Sequence, residues 1–227
     1  MRITRLVAYT VTTALAGVTP IAIAAPSKAA DSWTTQTVAT PSETRLVYGD
    51  DLSINVDLSS SDGYSPASAD GTVTLMGMEA GTTAWVPVAT GTSASSSFYD
   101  VKPTATTTYK VVYSGYTDTD QGQLGDNYAP SESATFTVQV ARKITYPSSG
   151  FVIKGKVTPD YGKKKIVIKV SKKQNKGYKK FKTIKTTSAG KYKITLPRRG
   201  GTWYWSFVVK GDTRYLANGF VWKTFVG

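Results

Sequence analysis

The sequence predicts an all-β chain made of two tandem β-sandwich domains behind an N-terminal export signal. Two observations carry the fold. Branched and aromatic residues alternate with polar ones at a period of two in stretch after stretch, and no helical periodicity interrupts them. Clusters rich in Gly, Pro, Asp and Ser separate these stretches, as turns between short strands do. The third observation divides the chain: the order of strands and turns in its first part is repeated in its second.

The N-terminal residues, 1–24, read as a signal peptide. Arg2 and Arg5 form a positive region, Leu6 to Ile23 is mostly apolar, and Ala22-Ile23-Ala24 supplies an A-x-A cleavage site. A second small-residue site follows at Lys28-Ala29-Ala30. The alternative, a membrane anchor, is disfavoured by Thr10, Thr12, Thr13 and Pro20, and no second spanning run follows. The expected location is secreted or cell-wall associated. Residues 25–32 read as a short polar lead-in.

Residues 33–141 form the first expected domain. Leu52, Ile54, Val56 and Leu58 share one strand face, with Ser53, Asn55 and Asp57 on the other. A Ser/Gly/Pro/Asp loop follows, then strands at Val73 and Leu75 and at Trp85, Val86 and Val88. Tyr109, Val111 and Tyr113 alternate strongly; a long loop runs from Ser114 to Pro130. Phe136, Val138 and Val140 close the domain.

Residues 142–227 repeat that order. Phe151, Ile153 and Val157 match the first strand, and a lysine ladder from Lys163 to Leu196 supplies the middle ones. There Ile166, Ile168 and Val170 alternate with Lys165, Val167 and Lys169, and Tyr192, Ile194 and Leu196 with Lys191, Lys193 and Thr195. Trp203, Trp205, Phe207 and Val209 match the Tyr109 strand, and Val221 and Phe225 lie in the last. Pro103, Tyr109, Gly115, Tyr128 and Ala129 find counterparts in Pro197, Trp205, Gly211, Tyr215 and Leu216. Two units of about 85 to 110 residues, each with about seven strands, fit an immunoglobulin-like sandwich.

The chain resembles the bacterial Ig-like domains of exported proteins from high-GC Gram-positive bacteria. In the first domain the resemblance rests on PTATTTYKVVYSG and DNYAPSESATFTVQV. In the second it rests on IKGKVTP, GYKKFKTIKTTSAGKYKITLP and VVKGDTRYLA. It implies a fold and a surface location and carries no catalytic residue across. The lysine density of the second domain departs from the family pattern.

Charge separates the two domains. The formal net charge is +13, yet residues 31–141 hold three basic against thirteen acidic side chains, a balance of −10. Residues 142–227 hold twenty-two basic against two acidic side chains, Asp160 and Asp212, a balance of +20. Composition also limits chemistry. With no His and no Cys, a Ser-His-Asp triad, a thiol nucleophile and the usual zinc ligands are excluded. Ser-Lys or paired-carboxylate chemistry remains open on composition, but the carboxylates sit in turn-like loops and no G-x-S-x-G motif occurs. The expectation is a protein that is not an enzyme.

Three candidate sites follow. Asp118, Asp120 and Asp126, with Gly122 between them, resemble the opening of a calcium loop; Gly122 and Ala129 stand where further ligands belong, so a solvated acidic loop is the alternative. No other cofactor is expected. In Trp203-Tyr204-Trp205 the two tryptophans share a face and read as core, leaving Tyr204 outward with Tyr178 and Tyr161. The lysines are the third. On an Ig-like fold Lys154 and Lys156 lie beside Lys191 and Lys193, and on the opposite sheet Lys165 and Lys169 neighbour Lys180, Lys182 and Lys210. Like charges opposed across strands repel, and a bound polyanion relieves that repulsion. The expected partner is an anionic wall polymer, acidic polysaccharide or extracellular DNA. A protein partner, or self-association of opposite domain charges, is the alternative, and lysines that only confer solubility are a third reading. The oligomeric state is left open by the sequence.

Overall fold

The computed structural model of the protein describes residues 31–119 and 126–227. The expected export signal at 1–24, most of the expected lead-in at 25–32 and Asp120 lie outside the described residues. Among the described residues every regular element is a strand, and no helix is long and apolar enough to cross a membrane.

The first half begins with β1 (Asp31–Trp33), β2 (Thr35–Pro41), β3 (Arg45–Val47) and β4 (Leu52–Ser60). It continues through β5 (Val73–Glu79), β6 (Val86–Thr90), β7 (Phe98–Val101) and β8 (Thr107–Tyr113). The last three are β9 (Asp126–Tyr128), β10 (Ser131–Glu132) and β11 (Phe136–Ala141). One sheet runs β2-β4-β7; the other runs β3-β11-β8-β5-β6, with β10 also paired to β8. Leu52, Ile54, Val56 and Leu58 are buried on β4 as its period of two requires, and they meet Tyr109, Val111 and Tyr113 of β8 across the core. Each such aliphatic side chain contributes about 1.5–3 kcal/mol on burial.

The second half comprises β12 (Lys143–Ile144), β13 (Val152–Thr158), β14 (Lys165–Ser171), β15 (Lys179–Lys185), β16 (Lys191–Thr195), β17 (Gly201–Val209) and β18 (Asn218–Val226). Here β12-β13-β16 covers β15-β14-β17-β18. Trp205 is wholly buried; its indole Nε1 donates to Thr224 Oγ1 at 2.9 Å, and the Phe181 ring meets it edge-on at 5.0 Å. In each half three strands pack on a larger sheet, and the chain crosses repeatedly between the two. That strand order is the immunoglobulin-like sandwich.

A third, smaller cluster joins the two cores. Tyr215 packs with Ala105, Val140 and Tyr48, and its hydroxyl donates to the Thr104 carbonyl at 3.1 Å. Arg214 pairs with Glu79 at 2.8 Å, and Leu216 N–H donates to the Val140 carbonyl at 2.8 Å. Arg142, at the junction, is 1% exposed. Its Nε donates to the Pro159 carbonyl at 2.9 Å, its Nη2 meets Asp212 at 2.6 Å, and its guanidinium lies 4.1 Å from the Tyr215 ring centre.

Several expectations need correction. Asp31 and Ser32 belong to β1, not to a lead-in, and β1 pairs in parallel with β9 inside the stretch read as a loop from Ser114 to Pro130. Three-residue strands carry no visible alternation, and pairing to a distant segment creates them. Trp33 Nε1 donates to Asp126 Oδ1 at 3.1 Å and fixes that pairing. Tyr161, read as outward, is 3% exposed. Its hydroxyl donates to the Lys165 carbonyl at 2.6 Å, and burial raises its pKa. Val221 and Phe225 do lie in the last strand, β18, as expected; its buried phase is Trp222 and Thr224, so both face outward.

Candidate functional site

The lysine face of β13 and β16 follows directly from strand register. Ile153 and Val157 of β13, with Tyr192 and Ile194 of β16, enter the core, so the residues between them must face water. Antiparallel pairing then sets Lys154 opposite Lys193 and Lys156 opposite Lys191. Side chains in such directly opposed positions have Cβ atoms about 4.5–5.5 Å apart. The two like-charge pairs are therefore built into the ladder.

Gly155 is what lets this face form. A Cβ there would stand 1.8 Å from the Thr145 carbonyl oxygen, the same oxygen that accepts the Tyr192 hydroxyl at 2.8 Å. Burial, then the neighbouring Tyr146, pushes the Tyr192 phenol up, so it remains a donor. Lys154, Lys156, Lys191 and Lys193 rim a shallow concavity of about 480 Å³, and Lys185 of β15 completes the rim.

The opposite sheet carries a second basic face. Lys169 stands opposite Lys180, as expected, but Lys165 stands opposite Lys185, which the sequence reading does not single out. The cause is a bulge: register steps from Ile168–Lys182 to Lys169–Lys180, leaving Phe181 as the extra residue. Lys182 consequently stands opposite the core residue Ile168 on the sheet's edge strand. Lys165, Lys180, Lys185 and Lys210 line a concavity of about 530 Å³ over Val167 and Thr183. Lys185 lines both concavities and connects the two faces.

Few carboxylates are available to these cations. Among the described residues none of the nine lysines singled out from sequence takes part in an ion pair. Asp212 is held by Arg142 and by Lys164 at 3.2 Å, and its Oδ1 accepts the backbone N–H groups of Arg214 and Tyr215. Burial alone would raise the Asp212 pKa; the hydrogen bonds from Arg142 and Lys164 overcome it and hold the carboxyl at about 2.

Trp203 and Trp205 share a strand phase, but the expectation that both are core holds in full only for Trp205. Trp205 is core, whereas Trp203 is only half-buried, with Lys172 Nζ 4.2 Å and Arg199 Cζ 4.6 Å from its ring centre. Tyr204 lies on the outer face, opposite Lys223 and Ser171, and the Tyr178 hydroxyl donates to the Gln174 carbonyl at 2.6 Å. The cation cap on Trp203 escapes a sequence reading because Lys172 and Arg199 come from two separate turns.

At the acidic loop, Asp126 accepts from Trp33 and, at 3.4 Å, from the Tyr128 hydroxyl, while the Asp118 backbone N–H donates to Asn127 at 2.9 Å. Among the described residues no group of three or more metal-ligating side chains converges.

No protein-family model matches the chain, and no curated protein does. Solved structures similar to it include the chicken CNTN1 FN1-FN3 domains, at 13% identity and a TM-score of 0.32. That match covers 81% of this chain and 64% of the other, so the chain spans under two thirds of that neighbour's length. The human OSCAR ligand-binding domain matches at 13% identity and a TM-score of 0.27, over 83% of this chain and 97% of that one. Native alpha-2-macroglobulin from Escherichia coli, domains NIE-MG1, matches at 11% identity and a TM-score of 0.24, over 82% and 96%. The class is defined by strand order: an all-β chain of immunoglobulin-like sandwich architecture.

Proposed function

We propose that this is a non-enzymatic, exported binding protein whose basic half contacts an anionic polymer. One observation carries the reading: Lys154–Lys193 and Lys156–Lys191 are directly opposed like charges with no carboxylate paired to them among the described residues. Such pairs destabilise the free protein, and a polyanion laid across them removes the repulsion while releasing its own counterions. Mixed-sign lysine and glutamate would confer solubility without that cost. Candidate partners are a wall polymer, an acidic polysaccharide or extracellular DNA, met outside the cell. The test is binding of the full chain to heparin and to teichoic acid at low and high salt. Affinity that falls steeply with salt supports the reading; binding that is absent or indifferent to salt removes it.

The charge asymmetry favours a second reading, a protein–protein module that self-associates when the −10 half of one molecule meets the +20 half of another. Sedimentation separates the two. A complex that forms without added polymer at low salt and dissociates at high salt supports self-association.

A further inference from the structure

We infer that the end of the basic sandwich around Trp203 is a discrete phosphate-binding site, distinct from the two lysine faces. Arg199 is half-buried, and its guanidinium lies 4.6 Å from the Trp203 ring centre, 5.3 Å from that of Trp205 and 5.7 Å from that of Phe181. Aromatic rings therefore hold this cation. Among the described residues it has neither a carboxylate partner nor a hydrogen-bond acceptor, so its planar fork of N–H donors is unspent. Lys172 sits over the same indole at 4.2 Å, tied at its other side to the Gly200 carbonyl at 3.5 Å. Trp203 Nε1 donates to that carbonyl too, at 3.2 Å, so the indole is fixed in place.

This geometry selects among ligands. With two cations over the indole, the ring is engaged by cations and is poorly placed to stack on a base or a sugar. Its effect is to restrain two long, flexible side chains before a ligand arrives, which lowers the ordering cost of binding. Lys173, Lys176 and Lys179 line the same concavity of about 450 Å³ as Lys172, Arg199 and Trp203. Cations that line one concavity from the 172–179 segment and from Arg199 suit a tetrahedral group with several oxygens. A planar carboxylate is satisfied by one guanidinium, whereas phosphate offers further oxygens to the lysines. The ligand class is a phosphate group carried on a polymer.

The inference rests on the reading that the basic half binds polyanions, and the experiment separates the two. Equilibrium binding of the full chain to polyphosphate and to poly-glutamate of equal charge is measured at one ionic strength. Inorganic pyrophosphate is added in a competition arm. Wild type is expected to favour polyphosphate by about tenfold, because a phosphate seated on the guanidinium fork still offers oxygens to the lysines, whereas a carboxylate so seated does not. Arg199→Lys keeps the charge and loses the fork, and should bring the two polymers level. The combined Lys154→Gln, Lys156→Gln, Lys191→Gln and Lys193→Gln variant should weaken both polymers alike and keep the preference. Pyrophosphate that erases the preference in wild type supports a site that takes a phosphate group by itself. A preference that persists in Arg199→Lys, or equal binding of both polymers to wild type, overturns the phosphate site and leaves the general polyanion reading standing. Binding to neither polymer overturns both.

Discussion

Arg142 and Asp212 form an ion pair with Nη2 and Oδ2 2.6 Å apart, although the arginine side chain is only 1% exposed. The pair sits where the halves of the chain meet, beside the Tyr215 cluster that spans them. It uses one of the two carboxylates in the basic half for structure, which leaves the outer lysines with still fewer partners.

Stability should therefore fall on acidification in a defined window. The folded Asp212 pKa, about 2, lies below its ordinary value of 3.8, so the unfolded chain takes up the proton first. The contribution is complete above pH 3.8 and is lost as pH falls toward 2. In Asp212→Asn the buried arginine loses its counter-charge, which costs about 2–3 kcal/mol after allowance for the partly exposed carboxylate. Melting temperature against pH checks this: the variant should start lower and show a flatter acid limb. Parallel curves would remove Asp212 from the account.

Lys156→Glu should move stability and binding in opposite directions. It turns the Lys156–Lys191 pair into one of opposite charge and should add about 0.5 kcal/mol to unfolding stability. The same change should weaken polyanion binding by removing one cation and adding an anion. Denaturant unfolding and heparin affinity, measured on the same preparation, test both signs.

Gly155→Ala should cost about 3 kcal/mol, because its methyl group would stand 1.8 Å from the Thr145 carbonyl oxygen and backbone must shift. Urea unfolding reads this directly. A variant as stable as wild type would contradict the close approach of β13 to the segment after β12.

Tyr215→Phe keeps the ring against Arg142 and deletes the hydrogen bond to Thr104. A loss of about 1 kcal/mol in unfolding stability is expected. An unchanged urea midpoint would mean that this contact between the halves contributes nothing.

The sequence makes some of this arrangement legible and hides the rest for physical reasons. The strands of Ile54, Val111, Ile153 and Ile194 are readable because each has one face in a core and one in water, and a period of two records both environments. The facing lysines on β13 and β16 are readable for the same reason. β1 and β9 are not, because three residues held by a distant partner leave no pattern. The place of Lys185 depends on the Phe181 bulge, which shifts register without a glycine to mark it. Arg142 looks like one more surface cation in the sequence. Its burial comes from Tyr161, Tyr215, the Pro159 carbonyl and Asp212, all brought to it by the fold. Trp203 shares its strand phase with Trp205, yet only Trp205 is wholly buried; the other takes its neighbours from two turns.

The most direct test of the central claim is the salt dependence of full-chain binding to heparin. It is measured for wild type and for the combined glutamine variant of Lys154, Lys156, Lys191 and Lys193. The account predicts affinity that falls steeply as salt rises, with a smaller slope and weaker binding in the variant, because fewer counterions are released. Equal affinity and equal slope for the two proteins, or wild-type binding that does not change with salt, would contradict it.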